Sequence, residues 1–125
     1  MKRSDLRALI LEDEEALMDV FKKVLKSIGI KNIDEAINEQ EALSFLDKKS
    51  PYELFLLDTY GPCSFGPNFL KKARKLGYES KTIAMSSDTN AVDLWVNESK
   101  ADYFIEKPFD INKLKRIVIQ EFPEA

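Results

Sequence analysis

Five short apolar runs alternate with five stretches of helical hydrophobic spacing, and this alternation constrains the fold more than any other feature of the chain. The runs predict strands over residues 6–11, 32–36, 54–57, 82–85 and 103–105. Strict strand–helix alternation is typical of an α/β protein, with a parallel sheet covered by helices on both faces. Ligands bind such sheets beyond the carboxyl ends of the strands, so the residues that follow each run are the functional candidates.

Turn and capping residues predict where several helices begin and end. Gly29 and Gly77 follow the first and third helical stripes, and each can take the left-handed conformation that stops a helix. Asp110 is predicted to cap the last helix. Trp95 lies in the stripe that predicts the fourth helix, and we expect its ring to pack in the core. The basic run over residues 71–75 is predicted to be the solvated face of the third helix.

Composition predicts one globular domain over residues 1–125 and excludes several functions. The net charge of −3 argues against direct nucleic-acid or anionic-membrane binding, because both need a basic excess. No apolar run approaches the roughly 18 residues of a membrane span. The single cysteine, Cys63, fits a reducing compartment and predicts a cytoplasmic location. The lack of histidine excludes His-based triads, His metal sites and phosphohistidine.

Charged and hydroxyl side chains follow four of the five predicted strands. Glu12 and Asp13 follow the first, Asp58 the third, Ser86 ends the fourth, and Lys107 comes after the fifth. Two carboxylates about 4 Å apart repel each other by roughly 4 kcal/mol at an effective dielectric constant near 20. A cluster of three carboxylates and one lysine therefore either raises a carboxyl pKa or binds a divalent cation such as Mg²⁺. A carboxylate there can also attack phosphorus and become an aspartyl phosphate.

These strand ends carry motifs that are similar to those of a known family. The motifs are Leu9-Ile10-Leu11-Glu12-Asp13-Glu14, Leu56-Leu57-Asp58 with Pro62 and Gly66, Ile83-Ala84-Met85-Ser86-Ser87, and Tyr103-Phe104-Ile105-Glu106-Lys107-Pro108-Phe109. In this order they resemble the receiver domain of bacterial two-component response regulators, of the chemotaxis-regulator type, over essentially the whole chain. The resemblance implies a flavodoxin-like, doubly wound (βα)5 sandwich whose five-stranded parallel sheet has the order 2-1-3-4-5.

The resemblance also implies a phosphorylation site with its metal ion. Asp58 is the implied phosphoacceptor. Asp13 is implied to bind Mg²⁺ directly, together with Asp58, and Glu12 to bind it directly or through water. The backbone carbonyl of Tyr60 completes the implied protein ligands. Lys107 is implied to pair with these acids and then with the phosphoryl group.

Three further roles follow from the same resemblance. Ser86 is implied to move and bond the phosphoryl group, and Phe104 to be the switch aromatic. Tyr60 and Asp88 flank the implied path of hydrolytic water, so we expect the Tyr60 ring to slow loss of the phosphoryl group. The domain is then not a conventional enzyme. It would catalyse its own phosphorylation on Asp58 and its slow dephosphorylation.

The implied partners are a sensor histidine kinase or a histidine phosphotransfer protein as donor, and a downstream protein as target. The implied assembly is a monomer or a phosphorylation-dependent dimer.

The chain departs from the family pattern at Gly61, Phe65 and Lys100. These departures concern the loop after Asp58 and the fourth helix. An alternative reading is therefore a degenerate receiver that acts as a phosphorylation-independent interaction module. A phosphatase with Asp58 as its nucleophile is a third reading.

Overall fold

The computed structural model describes residues 2–46, 51–58, 65–86, 94–107 and 110–123. A short 3₁₀ turn, Arg3–Asp5, precedes the first strand. The strands are β1 (Arg7–Leu11), β2 (Asn32–Ala36), β3 (Leu54–Asp58), β4 (Lys81–Ser86) and β5 (Tyr103–Glu106). The α-helices are α1 (Glu15–Ser27), α2 (Glu39–Phe45), α3 (Phe65–Lys75) and α4 (Ile111–Glu121), and a π-helical segment spans Leu94–Glu98.

The five strands form one parallel sheet with the order β2-β1-β3-β4-β5, so the predicted order is confirmed. The central strand β3 is buried along its whole length, as its unbroken apolar run predicts. One hydrophobic core contains buried side chains of α1 and α4, and the other contains buried side chains of α2, α3 and the π-helical segment. Helices therefore cover both faces, and the carboxyl ends of the strands share one edge of the sheet.

Most predicted helix boundaries are confirmed. Gly29 and Gly77 have φ values of 99° and 93°, so both take the left-handed conformation that ends a helix. The Asp110 side chain accepts a hydrogen bond of 2.9 Å from the backbone N–H of Asn112 and caps α4. Within the described part of the chain, no helix is long and apolar enough to cross a membrane.

The predicted fourth helix differs from expectation in its type. Leu94–Glu98 is a π-helical segment, and the N–H of Ala101 donates to the carbonyl of Trp95 at 2.9 Å. Lys100 ends this region with a φ of 67°, a conformation that a glycine would take without strain. Apolar spacing over five residues cannot distinguish an α turn from a π turn, which explains the difference.

Several predictions fall outside the described residues. They concern the Tyr60 carbonyl and ring, the loop residues Gly61, Pro62 and Cys63, the hydroxyl of Ser87, the Asp88 side chain, and the Pro108-Phe109 dipeptide.

Candidate functional site

The structure brings Glu12, Asp58, Ser86 and Lys107 to the carboxyl edge of the sheet. Glu12 follows β1, Asp58 ends β3, Ser86 ends β4, and Lys107 follows β5. The two carboxylates and Ser86 are almost completely buried, with exposures of 1%, 1% and 2%. Buried ionised carboxylates are rare without a partner, so this edge is chemically distinct from an ordinary protein surface.

Lys107 provides the positive charge of the site. Its ammonium group donates a hydrogen bond to Asp58 Oδ2 and lies 3.8 Å from Glu12 Oε1. The backbone N–H of Lys107 donates to the carbonyl of Ser86 at 2.9 Å, which continues the β4–β5 pairing and fixes where the lysine leaves the sheet. One ammonium therefore serves two buried carboxylates, and the group keeps a net negative charge.

Among the residues that the structure describes, two carboxylate oxygens of the site have no hydrogen bond, although Glu12 Oε1 lies near the Lys107 ammonium group. Among the described residues, Glu12 Oε1 and Asp58 Oδ1 are buried and have no hydrogen-bond partner. The other Glu12 oxygen, Oε2, accepts a hydrogen bond of 3.2 Å from the N–H of Glu14. Burial, and then the neighbouring Asp58 carboxyl group, raise the pKa of Glu12 to about 7. An orphaned buried acceptor costs roughly 1–3 kcal/mol, so this pocket is less stable than it would be with a bound donor or cation.

Asp13 lies at the exposed rim of the same pocket. Partial burial and the nearby Glu12 raise the pKa of Asp13, whereas Lys107 acts to lower it. Over the ranges that the structure describes, no three acidic or cysteine side chains already form a group that could hold a metal ion. The orphaned oxygens of Glu12 and Asp58 nevertheless match a hard divalent cation in charge, donor type and burial, with Asp13 as a further oxygen donor nearby.

Ser86 and Phe104 lie on the neighbouring strands β4 and β5. Phe104 is half-buried and packs against the core formed with α2 and α3, opposite Ala84 in the β4–β5 register. Side chains alternate along a strand, so Ser86 and Ala84 belong to the same face of the sheet. The register therefore puts Ser86 and Phe104 on one face of the sheet, and their implied switch roles stay predictions.

A contact between Trp95 and Gly66 extends the site toward the π-helical segment. Trp95 is fully buried, as its predicted packing role requires. A Cβ atom at Gly66 would lie 2.3 Å from the Trp95 ring and 3.5 Å from the Asp58 carbonyl oxygen. Only glycine allows the ring to approach the first turn of α3 so closely. The sequence contains both residues, but they are far apart along the chain, so no local pattern indicates this contact.

Comparison with known proteins finds a matching family model, similar sequences and similar solved structures. The chain matches the response regulator receiver domain model over residues 8–119. It is 34% identical to the two-component response regulator ORR41 of Oryza sativa subsp. japonica over 118 residues, covering 91% of this chain and 92% of that protein. It is 31% identical to the two-component response regulator 24 of Arabidopsis thaliana over 119 residues, covering 94% and 85%. The structure of the response regulator TrrA from Thermotoga maritima, in complex with Mg(2+)-BeF, has a TM-score of 0.78, 29% identity and coverage of 93% and 98%.

Proposed function

This chain belongs to the response regulator receiver domain family, and on that basis we propose that it is a phospho-accepting switch whose acceptor is the Asp58 carboxylate. The observation that carries the assignment is the pairing of Asp58 Oδ2 with Lys107 while Oδ1 has no hydrogen-bond partner among the described residues. Oδ1 is therefore available as a nucleophile, and Lys107 holds the other oxygen of the same carboxylate, Oδ2, in place. Proteins of this family interact with histidine kinases and downstream effectors, so we assign a phosphohistidine of a kinase or phosphotransfer protein as donor.

The transfer follows from these contacts. Asp58 Oδ1 forms a bond to phosphorus while the bond from phosphorus to the donor imidazole nitrogen breaks, and that nitrogen leaves with the electron pair. Lys107 already lies between Asp58 and Glu12, so its ammonium group can bond a phosphoryl oxygen as negative charge accumulates. The Ser86 hydroxyl is the neutral donor on the adjacent strand. The product is an aspartyl phosphate.

We assign the metal site of this domain to Mg²⁺. Glu12, Asp13, Asp58 and the backbone carbonyl of Tyr60 would hold the ion. The buried orphaned oxygens of Glu12 and Asp58 support the assignment, as does the similarity to TrrA, which was solved in complex with Mg(2+)-BeF. When bound, Mg²⁺ supplies positive charge that offsets the carboxylates and the incoming phosphoryl oxygens.

The acceptor is tested by phosphorylation with acetyl phosphate and Mg²⁺. We expect one acid-stable, base-labile phosphate on the wild type, complete loss of labelling in Asp58→Asn, and retention in Asp19→Asn, a substitution on the exposed face of α1. Intact-mass measurement and circular dichroism of each variant separate loss of labelling from loss of fold. Labelling that persists in a folded Asp58→Asn protein, or that needs no Mg²⁺, would overturn the proposal.

The output of the switch is proposed to act through Ser86 and Phe104. Bonding of Ser86 to the phosphoryl group would draw this side chain toward Asp58, and Phe104 would follow because it lies on the neighbouring strand and the same face. The downstream partner would bind the shifted surface in the cytoplasm. The domain itself would be a monomer or form a phosphorylation-dependent dimer. We expect Ser86→Ala to keep labelling on Asp58 and to weaken the phosphorylation-dependent change in chemical shifts around Phe104.

The lifetime of the phosphoryl group is proposed to depend on Tyr60 and Asp88. Both flank the path of hydrolytic water in the family pattern, and a ring at Tyr60 would hinder in-line attack on the acyl phosphate. Replacing Tyr60 with serine should therefore shorten the phosphoryl lifetime, measured as the first-order decay of phosphoprotein after removal of the donor. An unchanged lifetime would refute the shielding role.

A further inference from the structure

A groove of about 530 Å³ lies between α2 and α3 and shares no residue with the acidic pocket. Gln40, Leu43 and Ser44 line it from α2, and Lys72, Lys75 and Leu76 line it from α3 and the turn that follows. Leu76 is 62% exposed, the largest exposure among the large apolar side chains that the structure describes as exposed. An apolar strip on the solvent side of two helices is a candidate for an interaction surface.

The charge beside the groove is unusual for this chain. The α3 sequence, FGPNFLKKARK, contains four basic residues and no acidic residue, although the whole chain has a net charge of −3. Arg74 turns inward, so the outward charge comes from the remaining lysines. Basic residues near a helix C-terminus are favoured by the helix dipole, which accounts for the lysines but not for the exposed leucine beside them.

The two lysines that line the groove differ in their pairing. Lys72 forms an exposed ion pair with Glu39 at 3.4 Å, an interaction that a competing carboxylate can replace at little cost. Lys75 has no acidic partner among the described residues. The groove therefore offers an apolar floor from Leu43 and Leu76. Along its α3 wall lie one ammonium group with no acidic partner in the described part of the chain and one whose partner is exchangeable.

We propose that this groove docks an acidic amphipathic helix of a partner protein. An apolar side chain of the partner would lie between Leu43 and Leu76, and carboxylates one turn away on the same helix would pair with Lys72 and Lys75. Charge complementarity selects an acidic partner over a basic or neutral one. The groove shares no residue with the Asp58 pocket, so binding to it can be measured without phosphorylating the domain.

The experiment uses a synthetic 18-residue helical peptide with leucines at i, i+3, i+4 and i+7 and glutamates beside them. Its binding to the ¹⁵N-labelled domain is followed by chemical-shift changes and by fluorescence anisotropy. We expect shifts centred on Leu43, Lys75 and Leu76, and weaker binding as salt increases. Leu76→Ser and Lys75→Glu should each weaken binding by about tenfold, equivalent to about 1.4 kcal/mol.

The matched controls are Ile119→Ser and Lys113→Glu, which change an exposed apolar and an exposed basic residue on α4. They should leave the peptide affinity unchanged. Equal binding of a scrambled peptide, shifts that map to α4, or equal sensitivity to the control variants would overturn the proposal. So would a dimer in sedimentation velocity that Leu76→Ser abolishes, since a second copy would then be the occupant. Binding of the groove to phosphatidylserine vesicles but not to the peptide would assign it to a membrane instead.

Discussion

The two edges of the sheet differ in how completely their buried polar groups are hydrogen-bonded. At the carboxyl edge lie both side-chain oxygens that are buried without a hydrogen-bond partner among the described residues, one on Glu12 and one on Asp58. At the amino edge, the half-buried Arg74 donates to several acceptors, and the half-buried Arg7 donates to Asp34 and lies over the Tyr52 ring. The difference indicates that the amino edge stabilises the fold, while the carboxyl edge retains negative charge that is only partly compensated.

Arg74 joins three parts of the amino edge. Its guanidinium group donates to the carbonyls of Tyr78 and Ser80 at 3.0 Å, and to Thr82 Oγ1 and the Lys100 carbonyl at 3.1 Å. These bonds connect the end of α3 to β4 and to the left-handed turn before β5. Most of the acceptors are backbone carbonyls, so the guanidinium satisfies polar groups that the ends of these elements leave open.

A second cluster holds the start of β1 and β3. The Tyr52 hydroxyl donates to Asp34 Oδ2 at 2.5 Å, and an Arg7 nitrogen lies 3.0 Å from the same oxygen. The Arg7 guanidinium lies over the Tyr52 ring at 5.1 Å from its centroid. The N–H of Arg7 also donates to Glu53 Oε1 at 2.7 Å. This edge therefore pairs one carboxylate with two donors, whereas at the other edge two carboxylates share one lysine.

The largest expected effect is that of Arg74→Met, which removes four hydrogen bonds and keeps the aliphatic volume. We expect the free energy of unfolding to fall by about 2–4 kcal/mol, because the abandoned acceptors are partly buried. Urea unfolding measures this loss of free energy. The control is Lys75→Met, which changes the exposed neighbouring residue. A loss no greater than that of the control would show that the amino edge does not depend on this arginine.

Two glycines provide the next comparison, since one lies at each edge. Gly66→Ala should lower the free energy of unfolding by about 1–3 kcal/mol, because the new Cβ atom would collide with the Trp95 ring. Gly77→Ala places its Cβ in open space but at a φ of 93°, so its cost of about 1 kcal/mol comes from backbone strain alone. Trp95 is the only tryptophan, so its fluorescence should shift in Gly66→Ala and stay constant in Gly77→Ala. The reverse pattern would contradict the close ring contact.

A stabilising substitution is expected at the carboxyl edge. Glu12→Gln removes one of two neighbouring buried carboxylates, so the free energy of unfolding in EDTA should rise by about 1–2 kcal/mol. Asp19→Asn on the exposed face of α1 is the control and should change stability little. Added Mg²⁺ should stabilise the wild type more than the variant, because the variant lacks the negative charge of the Glu12 carboxylate. A less stable Glu12→Gln protein would mean that the ionised carboxylate supports the fold.

The sequence predicts the carboxyl edge better than the amino edge, for a physical reason. Hydrophobic periodicity and parallel topology together determine where strands end, and the charged residues there are visible in the sequence. Arg74 was expected to be solvated with the rest of the 71–75 run, and for this residue the expectation is wrong. Its acceptors are mainly backbone carbonyls, which every residue has, so no sequence pattern marks them. Lys100 differs, because the sequence already marks it as a departure from the family pattern at the end of the fourth helix, and the structure gives it a left-handed backbone.

The smallest expected effect is that of Tyr52→Phe, which also tests the amino edge by pH. Burial, and then the hydrogen bond to Asp34, raise the pKa of Tyr52 above its ordinary value of 10. In the unfolded chain the phenol ionises near pH 10, whereas in the folded protein it remains protonated at that pH. The free energy of unfolding of the wild type should therefore exceed that of Tyr52→Phe by about 1 kcal/mol between pH 7 and pH 10, and this advantage should shrink as the pH rises above 10. Urea unfolding of both proteins between pH 7 and pH 11 measures the difference, and an advantage that stays constant or widens above pH 10 would contradict the Tyr52–Asp34 bond.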